Sequence, residues 1–291
     1  MTLLSLRTGP LSVDLAPSAG GSIARFTIDG SDLLRPMTVA DQESGLGNNA
    51  AAYPLVPFSG RIANGRLLFA GEAYQLARNR EGVNHPLHGD GWHNPWRVVR
   101  SDNHSAEIVY EHERADDKAG KKGSWPFRYR ARQSYRLDAD RLTVTMALDN
   151  LEDRTVPAGL GLHPFFARDE DSELRCRLQH VWRTDAEVLP IERTSVPPEW
   201  DFSTSGRVMG RGLDNCFDGW DGHATITWPG RRLRLDLEAS ESFRHLVIFT
   251  PPDRPFFCVE PVSHANGEVV LAPLAPGATR TGTVVFRITR N

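Results

Sequence analysis

The chain runs to 291 residues with a net charge of −3. That length can bury a large core in a single domain, and the charge leaves no basic footprint for a nucleic acid. The three cysteines, Cys176, Cys216 and Cys258, are odd in number and far apart, which speaks against a disulfide framework or a zinc ribbon, and no run of about 18 apolar residues offers a membrane span.

Residues 1–15 lack a basic start followed by a sustained apolar run, so a secretory leader is not expected and a reducing cytoplasm is. Beyond them the recurrent pattern is alternation at period two, the signature of strands. Asp29-Gly30 and Ala70-Gly71-Glu72 mark early reversals, and residues 39–45 are read as one or two helical turns. The charged residues 111–123 are expected to form a solvated, mobile hairpin tip. A turn at residues 138–140 precedes the alternation of Leu142, Val144, Met146 and Leu148. Ile226 and Trp228 flank Thr227, and after the turn at Pro229-Gly230 come Leu233, Leu235 and Leu237. Residues 239–243 are read as a second short helix. Pro276-Gly277 then leads into Val284, Phe286 and Ile288. Many short strands divided by turns predict an all-β fold, a sandwich or barrel of antiparallel strands, in one domain over residues 1–291.

The stretch from residue 54 to 96 concentrates the residues that can do chemistry. It holds Arg61 and the pair His85-Pro86-Leu87-His88. Two imidazoles at this spacing fit part of a metal site, an acid/base site, or plain structure. A metal would need further ligands from His93, His163 or Glu260. Acid/base work or substrate binding is the preferred role for His88, and structure for His85, because Pro86 forces an extended backbone there. His163 lies in Gly-Leu-Gly-Leu-His-Pro-Phe-Phe, where glycines admit another backbone and the two Phe shield the ring; a satisfied core histidine competes with a functional one. Along a strand, Phe256, Cys258 and Glu260 share one face. A carboxylate among apolar neighbours is costly unless paired, so Glu260 needs a partner or a task. Asp214, in Asp-Asn-Cys-Phe-Asp, could equally build a turn through its own side chain. The nucleophile elbow, the phosphate-binding loop and the dinucleotide fingerprint are missing.

Taken together, Gly60-Arg61-Ile62-Ala63-Asn64-Gly65, the spacing Gly71…Tyr74-Gln75-Leu76…Asn79, Leu87-His88-Gly89, His163-Pro164-Phe165-Phe166, Asp214 and the Glu260 strand resemble the aldose 1-epimerase (galactose mutarotase) family, in the family's order over residues 20–276. Two details depart from it. The block at His163 reads Gly-Leu-His-Pro-Phe-Phe in place of an Asn-His-x-Tyr-Phe form, and Leu87-His88-Gly89 continues as Asp90-Gly91-Trp92; both bear on sugar preference. The resemblance implies a large antiparallel β-sandwich of the galactose mutarotase type, a supersandwich, with a sugar cleft across one sheet. It implies interconversion of α and β anomers without cofactor or metal. Glu260 would be the general base, His163 the general acid and His88 its helper, with Arg61 and Asp214 on the sugar hydroxyls. By residue type alone, Trp92, Trp220 or Phe165 could pack against the apolar face of the ring. The implied partner is a small sugar, bound by a monomer or homodimer, with neither nucleic acid nor membrane involved.

The chemistry suits these residue types on its own terms. Exchange of anomers takes a proton from the anomeric hydroxyl and gives one to the ring oxygen, so one base and one acid suffice. Four alternatives stand beside it. A hexose 6-phosphate epimerase would recruit arginines such as Arg78, Arg80 or Arg97. A non-catalytic sugar-binding module would keep the aromatics and Arg61 but could lose the acid/base pair. A metal-dependent, cupin-like enzyme would use His85, His88 and His163. A retaining glycosidase would use Asp214 and Glu260.

Overall fold

Alternation places apolar side chains on one side of each strand, and two sheets meet on those sides. The structure, a computed structural model, describes residues 2–44, 47–113, 123–265 and 272–290. One sheet has nine strands and runs from Gly206–Arg207 at one edge, through Leu233–Ala239, Thr279–Arg290 and Arg141–Asn150 at its centre, to Arg97–Ser101 at the other edge. Its inner face carries Val144, Leu235, Val284 and Phe286, all fully buried. The other sheet has eleven strands. Its central strands are, in spatial order, Ala52–Leu55, Gly161–Ala167, Phe256–Val262, His245–Phe249 and Asp214–Asp218, each antiparallel to the next. Phe286 of the first sheet meets Phe26 and Phe166 of the second edge-on, with ring centroids 6.3 and 6.2 Å apart. Each such side chain contributes roughly 1.5–3 kcal/mol on burial, so this shared layer is what holds the sandwich together.

The eleven-stranded sheet is buried on its second face as well. Phe257 and Val259 point into the layer between the sheets, whereas Phe256 and Cys258 join Tyr53, Trp92, Phe165 and Cys216 in a separate cluster on the opposite side. The segments around residues 56–65 and 85–93 fold over that opposite side, tied to each other by bridges between Arg61 and Leu87 and between Val56 and Gly89.

The expected turns at 29–30, 70–71, 138–140 and 276–277 each join two strands, and the helix Val39–Ser44 is present. One expectation changes, one alternative falls away, and one lies mostly outside the described residues. Residues 239–243 are not helical: Ala239 is paired with Val284 in the ladder, and the Phe243 N–H closes a tight turn onto the Ser240 carbonyl at 2.9 Å. Five residues cannot offset the cost of starting a helix once a ladder competes for them. Asp214 opens a strand rather than a turn, because Asp214–Asp218 pairs on both sides, with Trp182 and its neighbours and with residues 246–249. The expected hairpin tip at 111–123 lies mostly outside the described residues, but the strands that flank it, Ser105–His112 and Tyr129–Leu137, are antiparallel partners. Among the described residues no helix is long and apolar enough to cross a membrane.

Candidate active site

Strand register builds the floor of a cleft on the second face of the eleven-stranded sheet. His163 stands opposite Tyr53, and Phe165 stands opposite Cys258. Continuing that register two residues brings His163 across from Glu260, which in turn faces Val247, then Cys216 and Trp182. The next row along the strands reads Phe165, Cys258, Phe249 and Asp214. Residues 97 apart in sequence thus become neighbours because adjacent strands put them in one row. The expected sharing of a face by Phe256, Cys258 and Glu260 is observed.

Glu260 Oε1 lies 3.4 Å from His163 Nε2, and both side chains are buried. Phe165 stacks on the His163 ring at 4.4 Å and 6°, Tyr53 flanks it at 4.7 Å, and the His88 ring stands edge-on at 5.3 Å. Burial pushes the Glu260 carboxyl well above the usual carboxylate range, and the Asp214 charge pushes the same way against the pull of Arg61. Burial holds the His163 imidazolium well below its ordinary pKa, helped by Arg35 and Arg80. His163 Nδ1 is buried without a hydrogen-bond partner among the described residues. The two groups are therefore driven towards neutrality from opposite sides.

His88 comes from the covering segment. Its backbone is left-handed, with φ 62°, and its N–H donates to the Gly60 carbonyl at 2.8 Å. Its Nδ1 accepts the Gly60 N–H at 3.2 Å, which fixes the neutral tautomer with the proton on Nε2. Burial, followed by the charges of His163 and Arg61, lowers its pKa well below the ordinary value and keeps that tautomer. Asn79 clamps the turn: it accepts the Leu87 N–H at 2.8 Å and donates to the carbonyls of Leu87 and Gly89 at 2.7 Å each. Gly89 has no alternative here, since a Cβ would fall 2.1 Å from the Val56 carbonyl oxygen. Arg61, half-buried beside this turn, loses basicity to burial and regains some from Asp214 and Glu260. Burial raises the Asp214 carboxyl, and Arg61 opposes that.

Six of the eight residues singled out from the sequence line one cavity of about 360 Å³: Glu260, His163, His88, Arg61, Asp214 and Phe165. That volume is at the small end of ligand-sized pockets. The two tryptophans do not line it. Trp92 is fully buried, stacked under Tyr53 at 5.1 Å and 19°, with Nε1 donating to the carbonyls of Leu87 (3.3 Å) and Gly89 (3.1 Å); it props the His88 turn instead of offering a face to a sugar. Trp220 packs in the layer between the sheets and donates to the His223 carbonyl at 2.9 Å. Sequence reasoning passed over Tyr53, Arg35, Asn48 and Arg254, which also line the cavity. Tyr53 had a readable signal, a short apolar run with Pro54 at its centre; Arg35 and Arg254 each stand before a proline (Arg254) or between a leucine and a proline (Arg35) and carried none. Of the arginines weighed for a phosphate, Arg80 lines the cavity, whereas Arg97 lies on an exposed edge strand.

A metal site made of His85, His88 and His163 does not assemble. His85 is turned away, accepting the Asn64 N–H on Nδ1 at 3.1 Å with Nε2 3.3 Å from Glu187. His163, Glu260 and Cys258 do bring ligand atoms within 4.8 Å of one another. Burial pushes the Cys258 thiol well up, with Glu260 adding to it.

The sequence pattern of the family described as aldose 1-epimerase matches residues 2–287. The uncharacterized protein YphB of Escherichia coli (strain K12) is 32% identical over 304 aligned positions, covering 99% of both chains. A solved Escherichia coli K12 structure, described as a candidate aldose 1-epimerase, superposes with a TM-score of 0.90 at 32% identity, covering 100% of this chain and 99% of its own. A galactose mutarotase-like protein from Clostridium acetobutylicum shares the fold with a TM-score of 0.85 at 18% identity, covering 99% of this chain and 95% of its own.

Proposed function

The chain belongs to the aldose 1-epimerase family, and we propose that it interconverts the α and β anomers of an aldose through proton transfers at Glu260 and His163. The observation that carries this reading is the buried Glu260–His163 pair, 3.4 Å apart on the floor of a sugar-sized cavity. The anomeric hydroxyl oxygen and the ring oxygen share one carbon, so the groups that exchange protons with them must themselves be close neighbours. In the forward step Glu260 takes the proton of the anomeric hydroxyl and His163 gives one to the ring oxygen; the C1–O5 bond breaks and an aldehyde forms. The C1–C2 bond rotates, the same two protons return, and the ring closes on the other face.

The proton count of the pair is constant. It is carboxylate plus imidazolium beside the closed ring, and carboxylic acid plus imidazole beside the open chain. Burial raises Glu260 and lowers His163, which favours the second distribution, the one that accompanies the aldehyde. His88, with its proton on Nε2, supplies a neutral hydrogen-bond donor beside the His163 ring. Arg61 and Asp214 are suited to adjacent hydroxyls, the guanidinium forking to two oxygens and the carboxyl accepting.

Polarimetry on anomerically pure galactose and glucose tests the assignment. Glu260→Gln keeps the shape and loses the base, so the catalysed rate should fall by roughly 10²–10⁴-fold while sugar binding, read by calorimetry, persists. A variant that exchanged anomers at close to the parent rate would remove Glu260 from the reaction.

A further inference from the structure

The turn that carries His88 has a second anchor, downstream of the Asn79 clamp. Asp90 follows Gly89 and precedes the short helical turn Gly91–His93. An aspartate in that place ordinarily caps the helix with its own side chain, but this one makes no such bond. Its carboxylate reaches the nine-stranded sheet instead. Oδ1 accepts the Tyr129 hydroxyl, and Oδ2 accepts the Tyr110 hydroxyl at 3.2 Å and His112 Nδ1 at 2.6 Å. Tyr129 stands opposite His112 in the ladder and stacks on its ring at 5.1 Å and 12°. His112 and Tyr129 are buried, and Asp90 and Tyr110 are half-buried. None of these four residues is among those that line the cavity. Only Gly89 separates Asp90 from His88, and the N–H groups of Asp90 and Gly91 both donate to the Val56 carbonyl at 3.1 Å. The left-handed His88 is thus held from both sides, by Asn79 and by Asp90.

The contacts of His112 set its charge. Nδ1 faces the Asp90 carboxylate, and Nε2 faces the Trp125 carbonyl oxygen at 2.9 Å. A carboxylate and a carbonyl only accept, so both ring nitrogens donate, and only the imidazolium has two N–H groups. With one proton gone, a nitrogen lone pair would be turned on one of those oxygens. Among the described residues the ring is faced by Asp90 from the covering segment, by Tyr129 from the neighbouring strand, and by Tyr110 and Glu113 from its own segment. Burial pushes the His112 pKa down, but the hydrogen bond and charge of Asp90, the Trp125 carbonyl and Glu113 outweigh it and leave the ring above its ordinary value. A pKa raised on folding contributes stability that is full below about 6.5 and is lost as pH rises through the folded value. The Asp90 carboxylate, left without its cation, is then costly to keep where it is.

We propose that Asp90 and His112 are positioning residues for the epimerase reaction: their carboxylate–imidazolium pair ties the His88 turn to the nine-stranded sheet, and kcat falls when His112 gives up a ring proton. The proposal rests on the reading that His88 assists Glu260 and His163 in exchanging the anomers. Without the tie His88 drifts from its place beside His163, where the ring centroids are 5.3 Å apart, and a displacement of about 1 Å at a reacting centre can cost about 10²-fold in rate. Asp214 lies on a sheet strand outside the turn, so kcat suffers more than KM.

The test has two parts, both on the intact protein. NMR of the imidazole nitrogens, with the His112 signals identified by their loss in His112→Gln, should show both ring nitrogens protonated until the pH passes above about 6.5. A midpoint at or below that value overturns the proposal whatever the activity. Polarimetry should show the parent kcat falling as pH rises through the His112 midpoint, with KM changed much less. Glutamine keeps an N–H for Asp90 but has no proton to lose, so His112→Gln should lack that limb of the profile. Asp90→Asn should lower kcat by about tenfold or more, towards about 10²-fold, and drop the His112 midpoint below about 6.5; if this variant does not fold, the profile of His112→Gln carries the test. The same alkaline fall in His112→Gln as in the parent, or a smaller loss of kcat in Asp90→Asn, overturns the proposal and leaves the epimerase reading in place. No exchange above the buffer rate in the parent overturns that reading and this proposal with it.

Discussion

Replacing Asn79 by alanine is predicted to slow the reaction without touching a group that exchanges a proton. The amide makes three hydrogen bonds of 2.7–2.8 Å to the backbone of Leu87 and Gly89. Each contributes about 0.5–1.5 kcal/mol net, so together they hold the turn by roughly 1.5–4.5 kcal/mol. What they hold is expensive: His88 sits at φ 62°, a left-handed conformation that costs a residue with a side chain of order 1–3 kcal/mol. The clamp and the strain overlap in size, so removing the clamp frees His88 to leave its place beside His163. The two carbonyls keep a partner in Trp92 Nε1, and only the Leu87 N–H is stranded, which limits the damage to the turn. Polarimetry should give a kcat lower by up to about 10²-fold, the low end of what one positioned group contributes, and the melting temperature should fall by several degrees. A variant that melts earlier yet keeps the parent kcat would refute the reasoning, because His88 would then be either held by something else or unnecessary.

Acid should destabilise the fold through His264. Its ring is buried, linked to Ser59 and Ser263, and pushed down to about 3 by burial. A depressed pKa contributes stability that is present above the unfolded value near 6.5 and is lost as pH falls towards the folded one. Going from pH 7 to pH 5 should cost about 2 kcal/mol from this group alone; denaturant midpoints of His264→Gln should be less sensitive to the same change, and equal sensitivity would discount the group. Gly89→Ala and Gly71→Ala separate collision from strain. Both glycines have positive φ, but a Cβ at Gly89 meets the Val56 oxygen at 2.1 Å and one at Gly71 meets nothing within 4 Å. Gly71→Ala should cost about 1–2 kcal/mol and Gly89→Ala clearly more, with loss of activity; equal melting shifts would contradict the packing described.

The strands were legible because alternation is a direct imprint of one buried face, as at Leu142–Leu148 and Val284–Ile288. Glu260 was legible for the same reason, as a carboxylate in an apolar row. His88 and His163 were visible as types in unusual local settings, but their meeting depends on register between strands far apart in sequence, which only the resemblance supplied. Trp92 and Trp220 were misplaced because a large aromatic beside a glycine reads alike whether it props a turn or faces a cleft. Arg35 and Arg254 were missed because a single arginine has no pattern, and only the fold brings them to one cavity.

The Glu260 carboxylate and the His163 imidazole are spaced by a hydrogen-bonded ladder rather than by loops. Sliding the Phe256–Val262 strand by one residue would swing Glu260 into the greasy middle of the sandwich and turn Val259 outward, so the backbone acts as a ruler that cannot be slightly wrong. Arg254 and Arg80 sit on segments outside those strands. Substitutions at those two lining positions would therefore alter the cavity while leaving the 3.4 Å between Glu260 and His163 untouched.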